Sequence, residues 1–221
     1  MEEPARLREI GLYEELNDKS RLVLDELVEL AASICETPIS LVSIVDRDEQ
    51  KFWARTGLEA TSTPRDWAFC AHTIMEQDML VVEDATRDER FAENPLVLSD
   101  PNIRFYAGAP IRMASGASLG SLCVIDRTPR VLTEPQRKAL YVLRNAVVAH
   151  LEVSRAMRDL KSVEKMIPMC AWCRSVRQDS PEGEGEDEWM PLERYVARNG
   201  NVSHGVCPQC SALMLEEMQD R

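Results

Sequence analysis

The sequence lacks long apolar runs, and its beginning is acidic. No apolar stretch approaches the roughly 18 residues that a membrane-spanning helix needs. The first residues, Met1 to Pro4, are acidic, where a signal peptide is basic and then apolar. We therefore expect a cytoplasmic protein that does not enter a membrane and whose seven cysteines stay reduced.

The sequence also lacks a basic patch and the short motifs of common enzyme classes. Lys and Arg total 26 against 38 Asp and Glu, which gives a net charge of −12 at pH 7. This charge repels nucleic-acid backbones and anionic headgroups, so we expect neither as a partner. There is no P-loop, no kinase motif set, no G-x-S-x-G and no H-E-x-x-H, and we therefore predict no catalytic activity.

Hydrophobic periodicity predicts a mixture of helices and strands in the first two thirds of the chain. A helix is expected to begin at Asn17 or Asp18 and to end before Pro38. The other expected elements are strands at 39–45, 51–56, 79–83, 104–113 and 119–125, a short helix at 68–75, a loop at 57–67 and an irregular segment at 84–102.

A long helix begins after Thr133, which forms a capping-box pattern with Gln136. It carries an apolar row that we call the seam: Ala139, Val142, Ala146, Ala149, Val153, Ala156, Leu160, Val163 and Ile167. A second row consists of Leu140, Leu143, Val147 and Leu151. We expect the second row to pack on the domain's own sheet and the seam, over 139–167, to meet another helix in a homodimer. The alternative is an alanine-rich core helix.

Two C-x-x-C pairs, Cys170 with Cys173 and Cys207 with Cys210, lie 33 residues apart near the end of the chain. Two thiolates on a tight turn can occupy two corners of a metal tetrahedron, and two such turns complete a four-cysteine site. We predict a structural zinc ion, because so few aliphatic residues would otherwise have to form the core. His204 is either an alternative ligand or a neighbour of the ligands.

Other interpretations of these cysteines remain open. Iron held as in rubredoxin would make the protein an electron carrier, although Arg174 and Ser211 stand where glycines follow such iron-binding turns. The pairs could also be reduced structural cysteines or a redox dithiol. DNA binding is disfavoured, because residues 162–221 hold six basic and eleven acidic residues.

The end of the chain resembles a cysteine-rich tail that follows sensory or receiver domains in bacterial signalling proteins. The matching elements are Pro168–Cys170, Arg174–Arg177, Trp189, Glu193 with Tyr195, and Ser203–Cys210, while the acidic insert Pro181–Glu188 is longer here. The match covers most of residues 167–211 and implies a metal-binding module, which we place at 163–221, but no biochemical activity. We expect this module to contact a protein partner.

In the preceding part, 1–162, the stretch from Leu22 to Leu160 resembles a GAF domain of the bacterial signalling type. The residues that carry the likeness are Pro38–Ser43, Phe69–Ile74, Val81–Ala85, Asp88–Ala92, Arg104–Pro110 and Leu119–Asp126. The resemblance implies an α+β fold: a central antiparallel sheet with flanking helices and a long C-terminal helix, here followed by a small zinc-ribbon-like module. GAF domains bind small ligands or serve as dimerisation units.

Several residues are candidates for binding a small ligand, whose identity the sequence leaves unknown. They are Cys70, His72, Asp84, Arg90, Phe91, Arg104 and Tyr106. Arginine with aromatic side chains in a concavity would suit an anionic or planar ligand. The alternative is that the charged residues brace loops while Phe91 and Tyr106 lie in the core.

Cys70 and Cys123 raise two further possibilities. Cys70-Ala71-His72 is similar to the bilin-attaching C-x-H of phytochrome-like GAF domains, and another GAF branch reduces free methionine sulfoxide with a thiolate. The surrounding sequence matches neither group. We therefore predict a non-catalytic signalling protein, with a thiol-dependent redox enzyme or a rubredoxin-like iron electron carrier as the alternative.

Overall fold

The computed structural model describes residues 3–13, 18–164, 168–178, 188–196, 203–205 and 207–210. The chain divides into two compact units, Met1–Arg155 and Ala156–Arg221. The boundary expected from composition, between residues 162 and 163, lies later in the chain than this division. None of the described helices is both long and apolar enough to span a lipid bilayer.

The first unit contains a six-stranded sheet and its helices. Its strands are β1 (Ile39–Val45), β2 (Glu49–Thr56), β3 (Ser62–Pro64), β4 (Leu80–Val82), β5 (Phe105–Arg112) and β6 (Ser118–Asp126). Its helices are α1 (Glu3–Gly11), α2 (Asp18–Cys35), α3 (Phe69–Thr73), α4 (Pro95–Leu98) and most of α5 (Glu134–Glu164), with a 3₁₀ turn at Arg65–Trp67. Asn17, one of the two expected caps of α2, lies outside the described residues.

The strands are antiparallel throughout, in the order β3-β2-β1-β6-β5-β4. The mixed α and β fold with a central antiparallel sheet is therefore confirmed. The two central strands, β1 and β6, are buried along their whole length. Both faces of the sheet are covered, which explains why these strands appear in the sequence as continuous apolar runs.

The sheet separates two cores. On one face, Val42, Ile44 and Leu122 pack with α2 and with the second apolar row of α5, which is buried. On the other face, Ile39 and Leu41 pack with α3 and the loops that follow it. Alternate residues of β1 thus reach different cores, as the pleat of a strand requires.

Three elements differ from the sequence prediction. The expected loop at 57–67 contains β3, a short edge strand that pairs with β2 but has no apolar alternation. The expected irregular segment contains α4, whose cap Asn94 accepts a hydrogen bond from the Leu96 N–H, with Pro95 in the first turn. Helix α1 escaped prediction because its buried face includes Arg6, whose guanidinium donates to the Val45 carbonyl at 2.6 Å.

Gly120 marks a position in the central sheet where no side chain fits. A Cβ built there would lie 1.8 Å from the Ser43 carbonyl oxygen on β1. We expect Gly120→Ala to destabilise the first unit by about 2 kcal/mol or more, because two paired backbones must move apart. Gly11→Ala, with nothing within 4 Å, is the control and should leave stability unchanged or raise it by up to about 1 kcal/mol. Urea unfolding followed by circular dichroism measures both, and equal stabilities would contradict the expectation.

The second unit is built around a four-stranded sheet in the order β10-β7-β8-β9. Its elements are β7 (Pro168–Cys170), β8 (Val176–Gln178), β9 (Glu188–Met190), α6 (Leu192–Val196) and β10 (Ser203–Gly205). Strands β10 and β7 are parallel, and Gly205 lies opposite Cys170. This pairing brings the two C-x-x-C segments together. Ile167, the last seam position, and residues 181–187 of the acidic insert lie outside the described residues.

Candidate functional site

A pocket of about 210 Å³ lies in the first unit, on the sheet face opposite α2 and α5. The sheet supplies one wall, α3 another, and the segments after β2 and around α4 complete the enclosure. Most of its lining is aliphatic or aromatic: Ile39, Leu41, Phe52, Leu58, Phe69, Leu96, Ile103, Tyr106 and Ile125. Such an enclosure favours a small ligand with a large apolar surface.

Two polar side-chain atoms of the pocket have no hydrogen-bond partner among the described residues. They are the Gln50 Oε1 and Thr63 Oγ1 atoms, both buried. Gln50 on β2 and Thr63 on β3 lie opposite each other in the strand ladder. Neither residue belongs to a recognisable motif, and the one signal in the sequence is that Gln50 lies two positions before Phe52, on the buried side of an alternating strand.

A cluster of thiols and hydroxyls adjoins the pocket at Cys70 and Tyr106. The two sulfurs of Cys70 and Cys123 are 3.9 Å apart. The Tyr106 hydroxyl donates to the Cys70 Sγ at 3.4 Å and lies 2.6 Å from the Thr73 Oγ1. All four side chains are buried, so this cluster is sheltered from water.

These contacts shift the ionisation of both thiols. Burial alone would raise the pKa of Cys70, but hydrogen bonds from Cys123, Ser121 and other neighbours outweigh burial and lower the pKa to about 6. The pKa of Cys123 is raised well above its ordinary value, because its thiol is hydrogen-bonded to Cys70 and is buried. The pair therefore favours a thiolate on Cys70 and a thiol on Cys123.

Phe91, His72 and Arg90 form a separate group behind the pocket. The Phe91 ring stacks on Phe69 with centroids 3.9 Å apart, and the His72 ring meets Phe91 edge-on at 4.8 Å. Arg90 lies over Phe91 and pairs with Asp88 at 2.6 Å. His72 and Arg90 line a shallow depression on the surface and not the pocket.

The remaining candidates, Asp84 and Arg104, hold loops together. The Asp84 carboxylate accepts hydrogen bonds from the backbone N–H and the hydroxyl of Thr86. The Arg104 guanidinium donates to the carbonyls of Val97 and Ile103. Of the seven residues proposed from the sequence, Cys70 and Tyr106 line the pocket, and the other five lie around it or on the surface.

The second unit brings the four tail cysteines together. The ligand atoms of Cys170, Cys173, Cys207 and Cys210 all lie within 4.8 Å of one another, and the Cys173 and Cys207 sulfurs are 3.7 Å apart. Thiolates about 2.3 Å from a tetrahedral zinc ion would be separated by about 3.8 Å. The four sulfurs could therefore hold a metal ion.

The first C-x-x-C segment has the backbone of a metal-binding turn. The Cys173 N–H points to the Cys170 Sγ at 3.5 Å, and the Arg174 N–H donates to the Cys170 carbonyl at 2.9 Å. Arg174 adopts a left-handed φ of 60°, the conformation that glycine would adopt without strain. His204 lies opposite Met169 in the β10–β7 pair, and its side chain is outside the described residues.

The four thiols influence one another's ionisation. Burial opposes ionisation of Cys170, but backbone hydrogen bonds from Cys207, Cys173 and Trp172 lower its pKa to about 6. Burial and hydrogen bonding to the other three cysteines raise the pKa of Cys210 to about 12. Four neighbouring thiolates repel one another, so full ionisation of this cluster requires a cation in contact with the sulfurs.

The first unit matches a protein family over most of its length. The model of the GAF domain family matches residues 21–153, which include the whole sheet and its pocket. The chain belongs to the GAF domain family. GAF domains occur in signalling and sensory proteins, and the expectation of that broad class is confirmed.

Solved GAF domains share the fold at low sequence identity. A GAF domain from a phosphoenolpyruvate-protein phosphotransferase of Coxiella burnetii is 16% identical, with a TM-score of 0.54 over 71% of this chain and 96% of that one. A free methionine-R-sulfoxide reductase of Neisseria meningitidis is 18% identical, with a TM-score of 0.52 over 67% of this chain and 86% of that one. At these identities the likeness extends to the fold alone.

A curated relative is much more similar in sequence. It is a cyclic di-GMP phosphodiesterase of Pseudomonas aeruginosa, 48% identical over 126 residues, which are 57% of this chain and 21% of the relative. The chain thus spans about a fifth of the length of that relative.

This relative corrects the prediction that the protein has no catalytic activity. That prediction is wrong, because the relative at 48% identity is named for an enzyme. The motifs whose absence supported it mark nucleoside-triphosphate binding, kinase, acyl-transfer and metalloprotease chemistry. Hydrolysis of a cyclic dinucleotide belongs to none of these classes, so the absence of these motifs had no bearing on it.

Proposed function

We propose that this protein is a cytoplasmic signalling protein whose GAF domain binds a small molecule, and that this binding regulates the turnover of cyclic di-GMP. The observation that carries the proposal is the apolar pocket, whose Gln50 Oε1 and Thr63 Oγ1 atoms have no hydrogen-bond partner among the described residues. The 48% identity to a cyclic di-GMP phosphodiesterase supports cyclic di-GMP turnover as the regulated process. A buried acceptor without a partner costs stability, and a ligand that donates to it removes that cost.

The sheet offers a route from the pocket to the helices. Ile39 and Ile125 line the pocket from β1 and β6, while Val42 and Val124 of the same strands pack among the residues of α2 and α5. A ligand can bias the helices only if it binds two arrangements of the domain with different affinities. We propose that α5, through its seam, transmits this bias to a second copy and to a protein partner.

In the second unit we propose a structural zinc ion on Cys170, Cys173, Cys207 and Cys210. The spacing of the sulfurs fits zinc, and the ion would stabilise a module whose described residues include few buried apolar side chains. We propose that His204 lies near the ligands and is not one of them, because four thiolates complete a tetrahedral site.

Native mass spectrometry of the full chain, purified without denaturation, tests the sensory proposal. We expect a mass adduct of a small molecule in addition to the metal. Ala60 is exposed at the rim of the pocket, so Ala60→Trp should block the pocket without disturbing the core and remove the adduct. Ala114→Trp, an exposed alanine in the β5–β6 turn, is the matched control and should keep it. An adduct that persists in Ala60→Trp, or the lack of one in the wild type, would contradict the proposal.

A further inference from the structure

The size of the pocket limits what it can hold. An apolar cavity of about 150 Å³ binds benzene, whereas pockets for drug-sized ligands measure roughly 300–1,000 Å³. At about 210 Å³, this pocket suits a molecule of one or two small rings. A cyclic dinucleotide, with two bases, two sugars and two phosphates, is far too large.

The charge of the lining also argues against a cyclic dinucleotide or any other anionic ligand. Asp100 is the one residue with a formally charged side chain among the described residues that line the pocket, and it is acidic. The Cys70 thiol, also in the lining, has its pKa lowered to about 6 by its hydrogen bonds, which adds negative charge near pH 7. A phosphate or carboxylate ligand would meet these groups with no lysine or arginine of the lining to neutralise it.

One position on the wall calls for a hydrogen-bond donor. Gln50 is 4% exposed, and its Oε1 has no hydrogen-bond partner among the described residues. Directly across the ladder, the Thr63 Oγ1 is also buried without a partner. A ligand N–H or O–H that donates to the Gln50 Oε1 would satisfy this atom, and the oxygen of an O–H could in addition accept from the Thr63 hydroxyl. The rest of the molecule would contact aliphatic and aromatic side chains.

From these three observations we infer the ligand class: an uncharged, mainly apolar molecule of one or two rings with a single N–H or O–H group, which donates to the Gln50 Oε1. The inference rests on the proposed sensory function and specifies it. It also separates the signal that the GAF domain detects from cyclic di-GMP, whose turnover is proposed to be regulated.

Methyl NMR of the full chain tests the ligand class with defined probes. Indole supplies a bicyclic body with one N–H, and benzothiophene has nearly the same shape without the donor. We expect indole to shift the methyl signals of Leu41, Ile103 and Ile125 and to bind about 5-fold more tightly than benzothiophene, the contribution of one neutral hydrogen bond. Gln50→Met should remove this preference, whereas Gln77→Met, at an exposed glutamine outside the pocket, should keep it.

Each failure points to a different step. Cyclic di-GMP or cyclic GMP shifting the pocket methyls at lower concentration than indole would overturn the apolar ligand class and leave the sensory function standing. A preference for indole that survives in Gln50→Met would overturn Gln50 as the acceptor. If neither bicyclic probe shifts these methyls, the ligand class is wrong. If, in addition, native mass spectrometry finds no small-molecule adduct on the wild type that Ala60→Trp removes, the proposed sensory function is wrong as well.

Discussion

Cys170→Ser is expected to cost the protein its bound metal and the fold of its second unit, while the GAF domain unfolds as in the wild type. The wild type should carry one zinc ion per chain, and the variant should bind zinc at least about 100-fold more weakly. The physical reason is the composition of this small core. Among the described residues of the second unit, the buried ones are three of the cysteines, Val176 and Met190. Because these described residues bury so little apolar surface, we expect metal coordination to supply much of the folding free energy of this unit.

Elemental analysis measures the metal, and the fluorescence of Trp172 and Trp189 in the second unit reports its fold. Gln209→Ser is the matched control, because it alters the second C-x-x-C turn without removing a sulfur. Red protein with one iron per chain would keep the four-sulfur site and replace zinc by iron. If the wild type contains no metal and its second unit is no more stable than that of Cys170→Ser, the proposed four-cysteine metal site is wrong.

The sequence predicts the secondary structure best where the apolar residues recur with one clear period. The alternation and apolar runs of β1, β2, β5 and β6 predicted the core of the sheet. The capping box at Thr133 is present, since the Thr133 N–H donates to the Gln136 side chain at 3.1 Å and the Gln136 N–H reaches the Thr133 hydroxyl at 3.4 Å. The cysteine spacing likewise predicted which sulfurs would come together, because each pair is local in sequence.

The pocket was less predictable, because its walls come from distant segments and from one short helix. In α3, successive residues are rotated by about 100°, so Cys70 faces the pocket while His72, two positions later, faces the surface. The C-x-H motif alone does not show that its cysteine faces the pocket and its histidine the surface. Gln50 and Thr63 become a pair only through β3, an edge strand without apolar alternation. Predicting the polar end of the pocket required the register of that strand.

The second large effect is expected from substitutions in the seam of α5, which should prevent two chains from associating. Val142 and Val153 of α5 are 59% and 54% exposed, with the small residues Ala146 and Ala149 between them. Helix α2 lies beside α5, since the Ser20 and Ser154 hydroxyls are 3.1 Å apart, and α2 also carries exposed leucines at positions 22 and 30. An apolar row at spacings of three and four that is not buried in its own domain is typical of a helix–helix interface. A second copy presents the same row, so a two-fold axis would pair apolar with apolar.

We therefore expect the wild type to sediment at twice the 25.0 kDa chain mass and Val142→Glu/Val153→Glu to sediment as a monomer. Two new carboxylates per chain would face their symmetry mates, and like charges in an interface cost several kcal/mol, which weakens association at least about 100-fold. Val131→Glu is the matched control: this valine is 73% exposed and precedes the helix, so its replacement should leave the dimer intact. A monomeric wild type, or a double variant that still dimerises, would refute the seam as the interface. If Val131→Glu alone dissociated the dimer, the interface would have to lie near the start of α5 and not along the seam.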